Sequence, residues 1–216
     1  MSTQDNDYRQ SRREYIAAEL NESALADDPI AQFSGWLNAA HTAQEVDATA
    51  MTLATVNAQG MPSARIVLLK HFDPQGFAWY TDYRSQKGQD LLHNPQAALL
   101  FFWPSLHRQV RIQGRVERLE TPQNDAYFHA RPRGSQLSAA VSVQTAPVSD
   151  RGALAQQVAA WEAKYVNQPI PRPEAWGGYC LCPDQFEFWQ GRENRLHDRF
   201  QYQKTQGQWQ SQRLQP

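Results

Sequence analysis

The chain has little of what would assign it at once to a broad class of protein. Its 216 residues include only two cysteines, and its formal net charge is -1. No apolar run approaches the ~20 residues that a membrane-spanning helix needs. The near-neutral charge excludes a general electrostatic attraction to nucleic acid or to an anionic membrane, so local clusters of cations must bind any anion.

Cysteine and histidine are also too sparse to suggest a disulfide or a metal. Cys180 and Cys182 lie two apart in a predicted strand, a spacing unsuited to a comfortable disulfide. The six histidines show no ligand spacing, so we expect no metal. The polar start MSTQDNDYRQ lacks the apolar core of a signal peptide, which predicts a cytoplasmic protein.

The chain is long enough for one substantial core. We predict a flexible segment over residues 1–27, with a short helix around RREYIAAEL, and a single domain over residues 28–216. Asp28 as N-cap and Pro29 at the first helical position predict the first secure helix. One face of that helix carries Ile30, Phe33, Trp36, Leu37 and Ala40.

Short strands joined by tight turns then predict antiparallel hairpins. We expect strands at 48–56, 62–71, 77–81, 96–103 and 109–119. In the last of these, Val110, Ile112 and Val116 should face the core.

Helices are predicted at 85–94, from Thr121 to about Ala130, after Ser135, and at roughly 150–166. The last should bury Leu154, Val158, Trp161 and Tyr165. Four closing strands are expected near 176–182, 184–190, 197–203 and 207–213. The pattern favours a mainly β (α+β) fold, a small antiparallel β-barrel with covering helices.

The segment Arg195-Leu196-His197-Asp198-Arg199-Phe200 carries an unusual set of side chains. In an extended strand, Arg195, His197 and Arg199 would share one face, which favours an anionic or electron-rich ligand there. A solvated edge strand is the alternative, because edge cations discourage aggregation.

Cations elsewhere suggest phosphate. Lys87 in the first turn of a helix capped by Ser85 opposes the helix dipole unless an anion binds there, although it could be merely exposed. Arg65 and Lys70, five apart, should lie on opposite faces of a regular strand and serve different anions or different parts of one site. As the alternative, they are strand-edge cations.

A third group of polar side chains surrounds Pro132. Tyr127 and Arg131 share a helical face, and Pro132 should end that helix so that Ser135 folds back beside them. Two hydroxyls and a guanidinium would suit a monophosphate. The alternative is a core tyrosine and an arginine that stabilises the helix C-terminus.

The motifs RIVLLK, WYT, SQKG, RQV, YFHARPRGSQ, EFWQG and RLHDRF follow one another along nearly the whole chain. In this order they resemble the pyridoxamine 5'-phosphate oxidase family of the FMN-binding split-barrel superfamily. The resemblance implies a cytoplasmic homodimer with FMN at its interface. It also implies oxidation of pyridoxamine 5'-phosphate and pyridoxine 5'-phosphate to pyridoxal 5'-phosphate, with O2 as acceptor and release of H2O2, in vitamin B6 salvage and biosynthesis.

The resemblance also implies roles for individual residues. The positions that match FMN contacts are Arg65, Ile66, Val67, Leu68, Leu69, Lys70, Tyr80, Thr81, Gln86, Lys87, Gln109, Gln144, Thr145, Trp189 and Arg199. Those that match substrate contacts are Arg12, Arg13, Glu14, Tyr15, Lys70, Tyr127, Arg131, Ser135, Arg195, Leu196 and His197. Arg195 and His197 would act at the reacting end, and neither need transfer a proton.

The chain departs from the family at two positions. Gln86 stands where the family usually has arginine, and Thr145 where it has serine. Gln86 removes a fork-shaped phosphate donor, so FMN affinity is the property we expect to change. Two other functions remain open: a split-barrel FMN reductase or electron carrier, and a non-enzymatic flavin or pyridoxal phosphate binding protein.

Overall fold

A computed structural model describes Tyr15 and residues 19–216. Most of the predicted helix around residues 12–20 falls outside this range, as do Arg12, Arg13 and Glu14. None of the helices in the described part of the chain is long and apolar enough to cross a membrane.

The elements alternate between short strands and helices. The strands of the described part are β1 (Ala50–Val56), β2 (Pro62–Leu68), β3 (His71–Asp73), β4 (Gly76–Asp82), β5 (Gln96–Trp103), β6 (Arg108–Arg118), β7 (Trp176–Gln190), β8 (Asp198–Thr205) and β9 (Gln208–Leu214). The helices are α1 (Pro29–Thr42), α2 (Gln86–His93), α3 (Thr121–Ala130), α4 (Arg133–Val141) and α5 (Arg151–Lys164), with 3-10 turns at Glu22–Ala24 and Glu193–Arg195.

The larger of two compact units comprises Thr49–Phe101 and Arg111–Gln185. Its strands follow the order β2-β1-β5-β6-β7-β4-β3, and the β1–β2, β1–β5, β3–β4 and β4–β7 pairs are antiparallel. Alternation buries one face of β1 and of β6: Met51 and Leu53 in β1, and Ile112 and Val116 in β6. Each such side chain contributes about 1.5–3 kcal/mol of hydrophobic stabilisation. The predicted antiparallel sheet and the inward face of β6 are confirmed.

The smaller unit contains the described residues up to Ala48, together with Phe102–Val110 and Phe186–Pro216. Helix α1 begins as predicted, because Asp28 Oδ1 accepts the Ile30 N–H at 3.0 Å and Pro29 occupies the first turn. Trp36 from α1 packs edge-on against Phe188 at 5.3 Å. Strand β8 pairs with β7 and with β9 here.

The first two closing strands were predicted as separate, and this is wrong: β7 runs unbroken from Trp176 to Gln190. Pro183, which lacks a ladder N–H and disfavours a continuous strand, lies within β7. Gly114 of β6 lies against Pro183, and a Cβ at Gly114 would clash with the Cys182 carbonyl. The missing side chain lets the strands approach and the sheet continue.

Two helix predictions also need correction. Helix α4 begins at Arg133 and contains Ser135, because Pro132 serves as its N-cap. Helix α5 has no buried residue: Leu154 is 37% exposed. Val158, Trp161 and Tyr165 are only half-buried, because they pack from one side on a cluster that includes Leu137 and Ile170.

Neither Cys180 nor Cys182 forms a disulfide. Burial raises the pKa of Cys180 to about 12, which leaves its sulfur protonated and unreactive at neutral pH.

Candidate functional site

The larger unit contains a cavity of about 870 Å³, a size typical of small-molecule and cofactor sites. It is lined by β2, the end of β4, the start of α2, the α3–α4 junction, the 144–145 segment and the start of β7. The lining includes these predicted site residues: Arg65, Ile66, Val67, Leu68, Lys70, Tyr80, Thr81, Gln86, Lys87, Tyr127, Arg131, Ser135, Gln144 and Thr145. The structure thus gathers positions that are up to 80 residues apart in sequence.

Lys87 is a buried cation on the lining of this cavity, with only 7% of its surface exposed. Its ammonium donates to Thr81 Oγ1 at 3.1 Å, Ser85 Oγ at 3.3 Å and Gln144 Oε1 at 2.8 Å. Burial, and secondly the positive charge of Arg65, lower the pKa of Lys87 to about 8. All three oxygens are uncharged, so a bound anion would stabilise the protonated amine more strongly than they do.

Arg65 is held by oxygens of neighbouring strands. Its Nη1 donates to Thr55 Oγ1 at 2.7 Å and to the Leu53 carbonyl at 3.1 Å. Its Nη2 lies 3.8 Å from the buried carboxylate of Asp90. Burial lowers the pKa of Arg65, and the Asp90 charge opposes that shift.

The strand argument for Lys70 is wrong, because β2 ends at Leu68 and strict alternation does not extend to residue 70. The Lys70 N–H donates instead to the Ala78 carbonyl of β4 at 2.9 Å. Arg65 and Lys70 therefore line the same cavity. Leu69 is buried, and it is not among the residues that line this cavity.

Gln86 and Thr145, the two departures from the family pattern, meet in the structure. The Gln86 N–H donates to Thr145 Oγ1 at 3.3 Å, and Gln86 Nε2 donates to Asp90 Oδ1 at 2.8 Å. Thr145 has a φ of 79°, an unusual conformation for a β-branched residue that is associated with functional sites. The Gln86 amide uses an N–H donor on Asp90. The guanidinium of an arginine at this position could direct N–H donors at a bound anion.

At the α3–α4 junction, Tyr127, Arg131 and Ser135 face the cavity as predicted. Arg131 follows the last residue of α3, and its buried Nη1 has no hydrogen-bond partner. Burial lowers the pKa of Arg131. Tyr127 stacks on Tyr80 with ring centroids 3.8 Å apart and also packs against the core, as the alternative of a core tyrosine expected, while its place on the cavity lining leaves the phosphate role a prediction.

These residues fit a ligand that carries phosphate. The buried Arg131 Nη1 has no hydrogen-bond partner, and the Lys87 ammonium is bonded only to uncharged oxygens. The aromatic rings beside them suit a flat ring system. Sequence reasoning did not identify Ser63, Ala64, Pro132 and Trp176 as lining residues. Trp176 could have been suspected from its position immediately before two glycines in WGGY.

The smaller unit holds the remaining predicted residues. The predicted extended strand over residues 195–200 is wrong, since β8 begins only at Asp198. A 3-10 turn precedes it, and Asn194 and Arg195 have φ values of 54° and 62°. That turn rotates Arg195 out of any common strand face with Arg199.

His197 lies in a cluster of rings. Its ring centroid is 4.7 Å from Trp189 and 5.7 Å from Tyr15. Its Nδ1 accepts the Arg192 N–H at 3.0 Å, so the neutral ring carries its hydrogen on Nε2. Burial, followed by the charges of Arg195 and Arg199, lowers the pKa of His197 and favours that neutral form.

The remaining residues predicted to contact FMN or substrate differ in their exposure and partners. Arg199 forms an ion pair at 2.9 Å with Glu187, which is 5% exposed. Gln109 is half-buried in β6, and Leu196 is 70% exposed. Among the described residues, no group of three or more His, Cys, Asp or Glu could hold a metal.

Comparison with known proteins adds independent information. Residues 37–165 match the family model described as pyridoxamine 5'-phosphate oxidase, and residues 176–216 match the pyridoxine 5'-phosphate oxidase C-terminal dimerisation region. A pyridoxine/pyridoxamine 5'-phosphate oxidase of Janthinobacterium sp. (strain Marseille) is 52% identical, over 95% of this chain and 97% of that one. The Synechocystis sp. (strain ATCC 27184 / PCC 6803 / Kazusa) protein of the same name is 49% identical, over 95% and 96%.

Solved structures agree with this. PhzG from Burkholderia lata, in complex with tetrahydrophenazine-1-carboxylic acid, superposes with a TM-score of 0.87 at 29% identity, covering 93% of this chain and 99% of that one. A pyridoxamine 5'-phosphate oxidase-related, FMN binding protein from Nostoc punctiforme gives a TM-score of 0.71 at 20% identity, covering 89% and 100%. The second likeness concerns the fold alone and supports the split-barrel architecture.

Proposed function

The chain belongs to the pyridoxamine 5'-phosphate oxidase family, and we propose that it oxidises pyridoxamine 5'-phosphate and pyridoxine 5'-phosphate to pyridoxal 5'-phosphate. FMN would be the cofactor, O2 the electron acceptor and H2O2 the second product. The observation that carries the proposal is a cavity whose lining includes two sets of cationic and hydroxyl groups, one around Lys87 and one around Arg131. Two phosphates, one from the cofactor and one from the substrate, account for both.

The set around Lys87 is assigned to the FMN phosphate. Lys87 and Arg65 supply charge, and Thr81 and Thr145 supply hydroxyls beside the start of α2. The N–H groups at a helix N-terminus and its dipole add to the attraction for an anion. The lowered pKa of Lys87 supports this assignment, because the amine gains most from a counter-charge.

The set around Arg131 is assigned to the substrate phosphate. Arg131 offers an unpartnered buried donor, and the hydroxyls of Tyr127 and Ser135 line the same cavity. Lys70 lies on the same lining and can serve either anion. Binding the phosphate orients the rest of the substrate, which converts binding energy into placement of the reacting carbon.

When bound, FMN would supply the redox chemistry by accepting a hydride from the C4' carbon of the substrate. The protein residues bind and orient. Arg195 would stabilise an electron-rich oxygen at the reacting end, and neutral His197 would donate its Nε2 hydrogen to a ring substituent. Trp189, Arg199 and Gln109 would complete the cofactor contacts, and Tyr15 would close over the substrate together with Arg12, Arg13 and Glu14.

A homodimer is part of the proposal. Residues 176–216 match a region described as a dimerisation region, and this stretch carries Trp189, Arg195 and His197. The family resemblance implies that FMN binds where two chains meet. We therefore propose that each site takes residues from both copies.

The phosphate set around Arg131 favours this oxidase over a flavin reductase or a flavin carrier, which would have no use for it. The test is anaerobic addition of pyridoxine 5'-phosphate to purified flavin-loaded protein. The flavin absorption band should bleach, and admission of O2 should restore it with one H2O2 per turnover. Unphosphorylated pyridoxine at the same concentration is the control and should bleach the band far more slowly. A flavin band that persists with the phosphorylated substrate would refute the proposal.

A further inference from the structure

Trp176 is a buried aromatic residue that lies between the core and the cavity. It is 7% exposed and belongs to a buried cluster with Phe128, Leu137 and Ile170. It also lines the cavity beside Tyr127 and Arg131. Its packing on Phe128, with ring centroids 5.2 Å apart, already gives Trp176 a structural role in the core. A further role therefore needs evidence beyond this packing.

The backbone holds Trp176 in one place. It pairs with Asp82 at the start of β7, and its N–H donates to the Pro173 carbonyl at 3.0 Å. Its own carbonyl accepts Arg172 Nη1 at 2.7 Å. A Cβ at the following Gly177 would clash with the Tyr83 ring, so the chain cannot shift here without disturbing that packing. The indole is therefore a fixed surface.

The Arg131 guanidinium lies on that surface, with Cζ 4.7 Å from the indole centroid. Among the described residues Arg131 forms no ion pair, unlike Arg84 with Asp82 and Arg172 with Asp125. A cation–π contact holds the guanidinium without a carboxylate, so it leaves the positive charge and the N–H donors available to a ligand. A carboxylate partner would hold the side chain equally well but would consume donors and cancel its charge.

We propose that Trp176 is the positioning residue for Arg131, and that it fixes the guanidinium so that its free edge meets the substrate phosphate. This inference rests on the proposed function, which assigns that phosphate to Arg131. The Tyr127 ring, 2° from parallel with Trp176 at 6.2 Å, and the Tyr80 ring extend the same stack. The stack thus orders two members of the phosphate set, Tyr127 and Arg131, in one layered arrangement.

The test compares three variants: Trp176→Phe, Trp176→Leu and the control Trp161→Leu. Trp161 is also a tryptophan packed on the same core cluster, with the Lys164 ammonium 5.7 Å from its ring, and it does not line the cavity. Titration calorimetry with pyridoxal 5'-phosphate gives the dissociation constant without turnover. Stopped-flow reduction of the flavin by pyridoxine 5'-phosphate gives the limiting rate, and melting curves report stability separately.

We expect Trp176→Leu to raise the dissociation constant about tenfold and Trp176→Phe about threefold, because a cation–π contact weakens from Trp to Phe and is absent with Leu. Trp161→Leu should leave it unchanged. The limiting reduction rate should be near that of the unaltered protein in all three, since the phosphate does not change during the reaction. A purely structural role would instead predict similar losses from Trp176→Leu and Trp161→Leu.

A double-mutant cycle with Arg131→Ala tests whether Trp176 acts through Arg131. In the Arg131→Ala background, Trp176→Leu and Trp176→Phe should add no further loss of binding. If Trp176→Leu does not fold, the cycle with Trp176→Phe decides alone. Equal losses in both backgrounds would overturn the inference, as would unaltered binding by both Trp176 variants when Arg131→Ala binds weakly. Unaltered binding by Arg131→Ala itself would overturn the substrate-phosphate assignment and this inference with it.

Discussion

Replacing Gln86 by arginine should tighten FMN binding, and the structure sets the size of the gain. Gln86 lies in the first turn of α2 beside Lys87, where an anion is favoured by the helix N-terminus. A charge-assisted hydrogen bond contributes about 1.5–3 kcal/mol in favourable geometry. The full value is not available, because Gln86 Nε2 donates to buried Asp90 at 2.8 Å and a new guanidinium would be drawn to the same carboxylate.

A guanidinium can donate both to Asp90 and to the FMN phosphate, so we expect part of the gain in binding free energy to remain. With one donor edge on Asp90 and the other on the phosphate, Gln86→Arg should tighten FMN binding by about 1 kcal/mol, or roughly fivefold. Removing the competing charge in Gln86→Arg/Asp90→Asn should increase the gain. Gln86→Lys is the control, since a point charge cannot bridge two partners as a planar fork does.

The assay is fluorescence titration of flavin-free protein with FMN, at two salt concentrations. The added charge should steepen the salt dependence of the dissociation constant. Arg84 cannot already fill the missing place, because both its Nε and Nη2 are bound to Asp82 at 2.7–3.2 Å. Unchanged or weaker FMN binding in both Gln86→Arg and the double variant would therefore refute the assignment of the FMN phosphate to the group around Lys87.

Further predictions address other parts of the molecule. Arg131→Ala should raise KM with little change in the limiting rate of flavin reduction, whereas Arg195→Ala should lower that rate; stopped-flow data showing an unaltered rate in Arg195→Ala would contradict its assigned role. FMN affinity should fall as pH rises above about 8, because free Lys87 loses its proton there and the bound anion favours the protonated form; titrations from pH 7 to 10 should show this slope, and Lys87→Met should remove it. Gly114→Ala should destabilise the protein by about 1–3 kcal/mol in urea unfolding through overpacking against β7, while Gly35→Ala on open helix surface should not destabilise it.

The elements with local signals were predictable from the sequence. Asp28 and Pro29 predict the start of α1, and Ser85 predicts the start of α2, because capping involves residues only a few positions apart. Alternation in β6 correctly predicts its buried face, since that pattern reflects a period of two. Such signals can be read without knowledge of distant partners.

The errors arose where the deciding contact is distant. Pro183 signals a strand break locally, and only the approach of Gly114, which is remote in sequence, explains why β7 continues. Leu154 belongs to an apolar stripe on α5, yet its exposure depends on how far the cluster under that helix extends. The pattern of apolar residues within one segment does not show which distant residues will pack against it.

The candidate site shows the same division between local chemistry and distant geometry. Residue chemistry selected Lys87, Tyr127, Arg131 and Ser135 as phosphate ligands, and the cavity brings them together. Trp176 carries no charge and only a single indole N–H donor, so a search for anion ligands by residue type would pass over it. Its contribution depends on where Arg131 lies over its ring, a relation between residues 45 positions apart that only the fold creates. Residues that bind a ligand can be recognised by type, whereas those that orient them are recognised by contact.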